Sequence, residues 1–137
     1  MASKWLPAHD GLLPYWLLLT SAASIFNTVG CYVSTDIARR TYQGPVASTE
    51  VTGLSGRLFG TWTLLATVIR SYAAYRIASG DIYTMAFWTY AIALGHFSTE
   101  WLAYGTASMR KGLAVPFTVA FSTTVWMWSQ WDFYVKA

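Results

Sequence analysis

His96 and Glu100 are the residues whose types and spacing could support chemistry in this chain. Side chains four positions apart on an α-helix face the same way, so this imidazole and carboxylate could share a metal ion or a proton. A metal site needs further ligands at the same depth, and the other histidine, His9, precedes the first long apolar segment. We therefore expect no catalytic residue, no metal and no cofactor. His96 should satisfy a neighbouring hydroxyl group, and Glu100 should pair with a cation.

Arg57 is the predicted partner of Glu100. It lies 22 residues before Ser79, which marks a tight turn, and Glu100 lies 21 residues after Ser79. An antiparallel pair of helices joined at this turn would bring the two charges to one level, so we expect an ion pair. Arg70, nine residues before Ser79, is expected to reach the membrane surface along its aliphatic stem. Binding of an anionic group from a lipid or a partner is the alternative for Arg70.

Four long uncharged segments define the elements that must position these residues. Three of them reach or approach the ~20 residues that a helix needs to cross a membrane, and the second does so if Arg57 or Arg70 is included. Their continuity excludes alternating barrel strands. With 55% hydrophobic and 11% charged residues, little chain remains for a soluble catalytic domain. We predict an all-α polytopic membrane protein, a four-transmembrane-helix bundle forming one domain over 1–137, with helices at about 12–34, 54–77, 82–105 and 112–133.

Each predicted helix carries a stripe of small or weakly polar residues, which membrane helices use to pack closely. Gly56 and Gly60 form a Gly-x-x-x-Gly spacing on the second helix. This spacing serves either packing within the chain or a homodimer, and we favour the former. The side chains expected to face the bundle interior are Asn27, Thr63, Thr67, His96 and Ser122.

The charges and aromatic residues outside these stripes suggest how the bundle sits in a membrane. Five cations fall at one end of the predicted bundle against three at the other, a small majority that favours lumenal termini. The net charge of +3 is spread thinly and does not indicate nucleic-acid binding. The connection between the first two helices, rich in glycine, should be irregular. An interfacial aromatic belt is predicted at the end of the fourth helix, from Trp126, Trp128, Trp131, Phe133 and Tyr134.

Six segments of the chain resemble one family, and they occur in order between about residues 12 and 134. The segments are LLLTSAASIFN at 17–27, RLFGTWT at 57–63, RSYAAY at 70–75, WTY at 88–90, GHFSTEW at 95–101 and QWDFY at 130–134. On these segments the chain is similar to the ergosterol-biosynthesis scaffold proteins, small endoplasmic-reticulum membrane proteins of fungi and other eukaryotes. The match is loosest over 35–55.

The resemblance implies a non-enzymatic, multi-pass protein that tethers sterol-biosynthesis enzymes in the endoplasmic-reticulum membrane. The implied partners are the sterol C-4 methyl oxidase, the decarboxylating C-3 sterol dehydrogenase and the 3-keto sterol reductase, with a link to the sterol C-24 methyltransferase. The family has no assigned catalytic residues. The residues themselves leave open a sterol- or lipid-binding membrane module, or a small membrane enzyme centred on His96, Glu100 and Arg70. A transporter half is disfavoured, because we find no internal repeat.

Overall fold

The chain folds into helices, which confirms the predicted all-α class. The computed structural model describes residues 5–136, and within that range it contains no β-strand. Four long helices begin and end within a few residues of the predicted bounds, and three short helices join or follow them. In chain order the helices are α1 (Leu13–Val33), α2 (Asp36–Thr41), α3 (Ala47–Glu50), α4 (Gly53–Tyr75), α5 (Gly80–Leu102), α6 (Ala114–Ser129) and α7 (Trp131–Tyr134).

Local side-chain chemistry explains where the long helices begin. At the start of α4, Thr52 Oγ1 accepts a hydrogen bond from the Ser55 amide, and Ser55 Oγ accepts one from the Thr52 amide. This reciprocal capping box satisfies two backbone donors that the first helical turn leaves unpaired. Ser79 caps α5 through its side chain, and Pro14 stands in the first turn of α1, where its missing N–H costs nothing.

The four long helices pack side by side with alternating direction. The start of α1 lies beside the end of α4, since Ser24 contacts Arg70 while Tyr32 bonds to Thr61. The turn at Ser79 sends α5 back along α4, and α6 returns antiparallel to α5. Trp16 on α1 closes the bundle by donating to Thr123 Oγ1 on α6 at 2.7 Å.

Two clusters of buried apolar residues fill the bundle, one toward each end. The cluster at the end where α1 begins includes Leu13, Leu17, Tyr83 and Met127. The cluster at the opposite end includes Cys31, Ala38, Phe59, Phe97 and Leu113. The second cluster extends beyond the long helices, because α2 and α3 contribute Ala38 and Ala47 to it.

The connection between α1 and α4 is more ordered than the sequence suggested, because it contains α2 and α3. It folds over the end of the bundle and bonds to the connection between α5 and α6. The Gly44 amide donates to the carbonyl of Thr106 at 2.9 Å, and the Val46 amide donates to that of Gly105 at 3.1 Å. These backbone bonds join two connections that are distant in the chain.

By length and apolar composition, one helix in the part of the chain that the structure describes could cross a membrane, namely α1. Helices α4 and α5 are long enough at 23 residues each, but glycine, threonine, tyrosine and charged residues dilute their apolar character. Helix α6 has 16 residues. The four-span arrangement therefore stays a prediction.

Candidate functional site

His96 forms a close hydrogen bond with Tyr42 at the end of the bundle that α2 and α3 cover. Tyr42 Oη lies 2.6 Å from His96 Nε2, and the two rings pack edge to face. Burial, together with the negative charge of Glu100 and the nearby Cys31, raises the pKa of Tyr42 above its usual value. The phenol therefore stays protonated, and the tautomer of His96 decides which of the two groups donates in this bond. As expected, His96 satisfies a neighbouring hydroxyl group.

Glu100 bonds to the chain that follows its own helix, and the predicted ion pair with Arg57 is not formed in the structure of residues 5–136. Thr106 Oγ1 donates to Glu100 Oε2 at 2.8 Å, and the Thr106 amide donates to the Glu100 carbonyl at 3.0 Å. Arg57 is exposed on α4. Glu100 thus organises the start of the α5–α6 connection, and His96 and Glu100 bond to separate partners.

A cavity of about 370 Å³ lies beside these groups and is lined by Tyr42, Glu50, His96, Glu100 and Thr106, among others. No group of three or more histidine, cysteine or carboxylate side chains within residues 5–136 is arranged to hold a metal ion. The polar groups that line the cavity include an imidazole and a carboxylate that already bond to protein neighbours. This arrangement stabilises the covered end of the bundle.

Replacing Tyr42 with phenylalanine should lower the free energy of unfolding by about 1–2 kcal/mol, because His96 Nε2 would be left without its hydrogen-bond partner. Tyr32→Phe is the matched control. Tyr32 Oη also makes a 2.6 Å hydrogen bond, to Thr61 Oγ1, but at an exposed position, so its loss should cost less than about 0.5 kcal/mol. Denaturant titration in detergent micelles measures both variants. Equal losses would mean that the Tyr42 to His96 bond contributes nothing beyond a surface contact.

A polar seam joins α1 to α4, and Gly60 of the predicted Gly-x-x-x-Gly packing site lies in it. Thr28 Oγ1 donates to the carbonyl of Gly60 at 2.9 Å, and Asn27 Nδ2 donates to Thr63 Oγ1 at 3.1 Å. Gly56 and Gly60 are both buried. A β-carbon added at Gly60 would lie 3.0 Å from Cys31 Cβ. The Gly-x-x-x-Gly spacing is therefore used for packing within the chain.

Arg70 does not reach the surface, contrary to the sequence-based expectation. Its side chain is 7% exposed and turns into the bundle. Its Nε donates to Thr89 Oγ1 at 3.0 Å, and its guanidinium carbon lies 3.8 Å from the centre of the Tyr90 ring. The Arg70 guanidinium group could reach the surface only if it left the Tyr90 ring. Its stacking on that aromatic face favours the buried position.

Two further hydrogen bonds between helices are made by tyrosines that the sequence analysis did not select as interior residues. Tyr90 Oη shares a 2.6 Å hydrogen bond with Thr20 Oγ1, and Tyr83 Oη donates to the Met127 carbonyl at 2.6 Å. Ser122, predicted to face the interior, is exposed, whereas its neighbour Thr123 is fully buried. A tyrosine is amphipathic and occurs in interiors as well as at membrane interfaces, so composition alone could not assign these roles.

Together these features define a class: a small helical bundle with bonded polar groups inside and large apolar side chains outside. Comparison with known proteins is more specific. The family model described as Erg28 like protein matches residues 13–125, and the chain belongs to this family. The match confirms the resemblance drawn from the sequence. No solved structure matches the chain.

Named relatives occur in fungi and animals. The ergosterol biosynthetic protein 28 of Candida albicans is 45% identical over 128 residues, covering 93% of this chain and 91% of the relative. That of Saccharomyces cerevisiae is 40% identical over 125 residues, covering 90% and 83%. The human homolog is 37% identical over 110 residues, covering 80% and 77%. The names of these relatives describe proteins of ergosterol biosynthesis and do not describe an enzymatic activity.

Proposed function

We propose that this protein is a non-catalytic scaffold of the endoplasmic-reticulum membrane that holds sterol-biosynthesis enzymes together. The proposed partners are the sterol C-4 methyl oxidase, the decarboxylating C-3 sterol dehydrogenase and the 3-keto sterol reductase, with the C-24 methyltransferase as a neighbour. The names of the relatives support a role in this pathway. The observation that carries the scaffold proposal is the apolar exterior of the four long helices.

Large apolar side chains stand outward on every long helix. Phe26 on α1 is 80% exposed and Trp128 on α6 is 77% exposed. Leu65 on α4 and Ile92 on α5 are exposed to a similar degree. Apolar surface of this extent requires lipid or the helices of a partner to cover it. A scaffold in a membrane needs such faces and needs no nucleophile.

The proposed four spans follow from how the helices pack on α1. Contacts from Ser24 to Arg70 and from Tyr32 to Thr61 join the second half of α1 to α4, and Leu17 of the first half lies in one buried cluster with Ala73. If α1 crosses a bilayer, α4 must lie at the same depth. Helix α5 follows because it packs antiparallel beside α4, and α6 follows because it packs antiparallel beside α5. A helix of 21 residues is about 32 Å long, which matches the ~30 Å hydrocarbon layer.

Tethering successive enzymes gives a rate advantage without any new chemistry. An intermediate released by one active site meets the next at a raised effective concentration when both are held by one scaffold. This gain is large for an apolar intermediate, which otherwise diffuses away in the membrane. His96 and Glu100 are the two residues best suited to catalysis. They form hydrogen bonds with Tyr42 and Thr106 instead, which supports a structural role for both.

Cells that lack the protein should accumulate C-4-methylated sterols while each enzyme stays present at its normal level. Sterol profiles and immunoblots measure the two quantities, and a gentle-detergent pulldown should recover the enzymes together only when the protein is present. A His96→Ala variant should restore both readouts, because His96 is structural in this proposal.

Two outcomes would contradict the scaffold. One is conversion of a C-4-methylated sterol by the purified protein without partners. The other is a His96→Ala variant that still recovers every enzyme in the pulldown but abolishes sterol synthesis. Either result would make His96 catalytic.

A further inference from the structure

Arg70 is a buried cation whose hydrogen-bonding capacity is only partly used. Thr89 accepts from Nε through its hydroxyl group and, at 3.4 Å, from Nη2 through its carbonyl, while Ser24 Oγ lies 3.5 Å from Nη1. A guanidinium group has five N–H donors. Three have these acceptors, two of which are at long distance, so the group retains donors for a further partner.

No counter-charge accompanies Arg70 in residues 5–136. The carboxylates of that range form no ion pair with it, and Glu100, on the helix that supplies Thr89, bonds to Thr106 instead. The Tyr90 ring faces the guanidinium carbon, which offsets part of the cost of burial but carries no negative charge. A buried cation is stable when it is paired with an anion and fully hydrogen-bonded.

Arg70 lines a cavity of about 310 Å³ inside the bundle, a volume at the lower end of the range of about 300–1,000 Å³ for small-molecule sites. Polar side chains from α1, among them Ser24 and Asn27, line the cavity with Arg70. Apolar rings line it farther along α4 and α5, where Phe59 and Phe97 stand. Arg70 and Phe59 are 11 residues apart on α4, so the cavity extends about 16 Å along that helix.

The cavity opens to the exterior between α1 and α6. Ala23 on α1 and Val115 on α6 both line it and are both exposed. In the proposed membrane orientation this opening faces the lipid, so a molecule could move into the cavity laterally from the bilayer.

We propose that this cavity binds a lipid with an anionic oxygen-bearing head, a carboxylate or a phosphate. The head would pair with Arg70 and accept its remaining N–H donors. The apolar body would lie along Phe59 and Phe97, and the lipid would pass between Ala23 and Val115. The polar groups at one end and the rings at the other match a molecule with one charged end.

The test uses the full chain purified in non-ionic detergent, with lipid binding measured by native mass spectrometry and by thermal stabilisation. The probes are phosphatidic acid, oleate, phosphatidylcholine and cholesterol. We expect phosphatidic acid or oleate to bind at least about tenfold more tightly than the two neutral or zwitterionic lipids, the size of effect given by a charge-assisted hydrogen bond. A preference for phosphatidic acid assigns a phosphate head, and a preference for oleate assigns a carboxylate.

Arg70→Gln should remove this preference, whereas Arg76→Gln, which removes an exposed cation at the end of the same helix, should keep it.

Val119→Phe provides a second test of the site that leaves Arg70 unchanged. Val119 lines the cavity from α6 and is partly buried, so a larger side chain there should weaken binding by about tenfold or more. Val125→Phe, at an exposed position on α6, is its control.

Equal binding of cholesterol and the anionic lipids to the wild-type chain would overturn the proposal, as would unchanged anionic binding by Val119→Phe. If Arg70→Gln does not fold, two measurements still test the proposal. They are the lipid preference of the wild-type chain and the comparison of Val119→Phe with its control Val125→Phe. Lateral entry from the bilayer rests on the proposed four spans, whereas the site itself does not rest on the tethering of enzymes. Enzyme recovery in the pulldown and lipid binding by the purified chain are separate measurements, so the two proposals can fail independently.

Discussion

Gly112→Ala should destabilise the protein by about 3 kcal/mol or more, because two independent costs act at this position. The backbone of Gly112 has φ +83°, a region that L side chains rarely adopt. A β-carbon there would also collide with the carbonyl oxygen of Arg40. The collision is with backbone and cannot be relieved by a rotamer change. Denaturant titration in detergent micelles should show an earlier unfolding midpoint.

Gly95→Ala is the matched control for this substitution. Gly95 lies within α5, and a β-carbon added to it meets no atom within 4 Å. Alanine favours a helix interior over glycine by about 1 kcal/mol, so this variant should be as stable as the wild type or slightly more stable. If Gly112→Ala unfolded with the wild-type midpoint, the contact between the Arg40 and Gly112 backbones would be absent from the protein in solution.

Gly60→Leu should lower stability by about 1–3 kcal/mol and separate α1 from α4. At this crossing the Thr28 carbonyl oxygen lies 3.3 Å from the position that a β-carbon of residue 60 would take. A leucine would push the helices apart and break the hydrogen bond from Thr28 Oγ1 to the Gly60 carbonyl. Thermal unfolding gives the loss in stability.

A disulfide test across the same crossing reports the separation directly. Cys31 is a free cysteine beside Gly60, so Gly60→Cys should form a cross-link with it under mild oxidation. Leu64→Cys, one turn farther along α4 and exposed, should not. Efficient cross-linking at position 64 and none at position 60 would show that α4 presents a different face to α1.

Helix periodicity predicted the inward faces of α1 and α4, because small residues repeat along each helix. It did not predict that these two helices pack on each other. Asn27, Thr63 and Thr67 were expected to face inward, and the structure confirms this: Thr63 and Thr67 are buried and Asn27 bonds to Thr63. The long helices were predictable for a different reason: an uninterrupted apolar segment in a membrane has few alternatives to a helix.

The same reasoning was wrong on α6, where hydroxyl groups mark the outer face as readily as the inner one. Ser122 Oγ donates to the Thr118 carbonyl of its own helix at 2.7 Å, so it needs no partner on another helix. The buried face of α6 is formed by Ala120, Thr123 and Met127. At about 100° per residue it lies nearly opposite the predicted stripe of Thr118, Ser122 and Ser129. A hydroxyl group that can bond to its own helix does not indicate which way the helix faces.

For a charged residue, the depth at which it lies along the bundle is a separate question from the direction in which its side chain points. Counting outward from Ser79 predicts which residues of α4 and α5 lie at one depth, but it does not predict which way each side chain points. The buried positions of α4 near Arg57 are Gly56 and Phe59, so Arg57 itself points outward. Glu100 found a local partner six residues later in the chain, in Thr106, which a comparison of helices cannot anticipate.

The backbone bonds between the two long connections bear on when the protein can finish folding during synthesis. Gly44 and Val46 bond to Thr106 and Gly105, which follow them by 62 and 59 residues. At translation rates of about 5–20 residues per second, these acceptors emerge about 3–12 s after their donors. Until then the amides of the first connection must stay hydrated or find other partners. The covered end of the bundle is therefore completed late, after the ribosome has passed the end of α5.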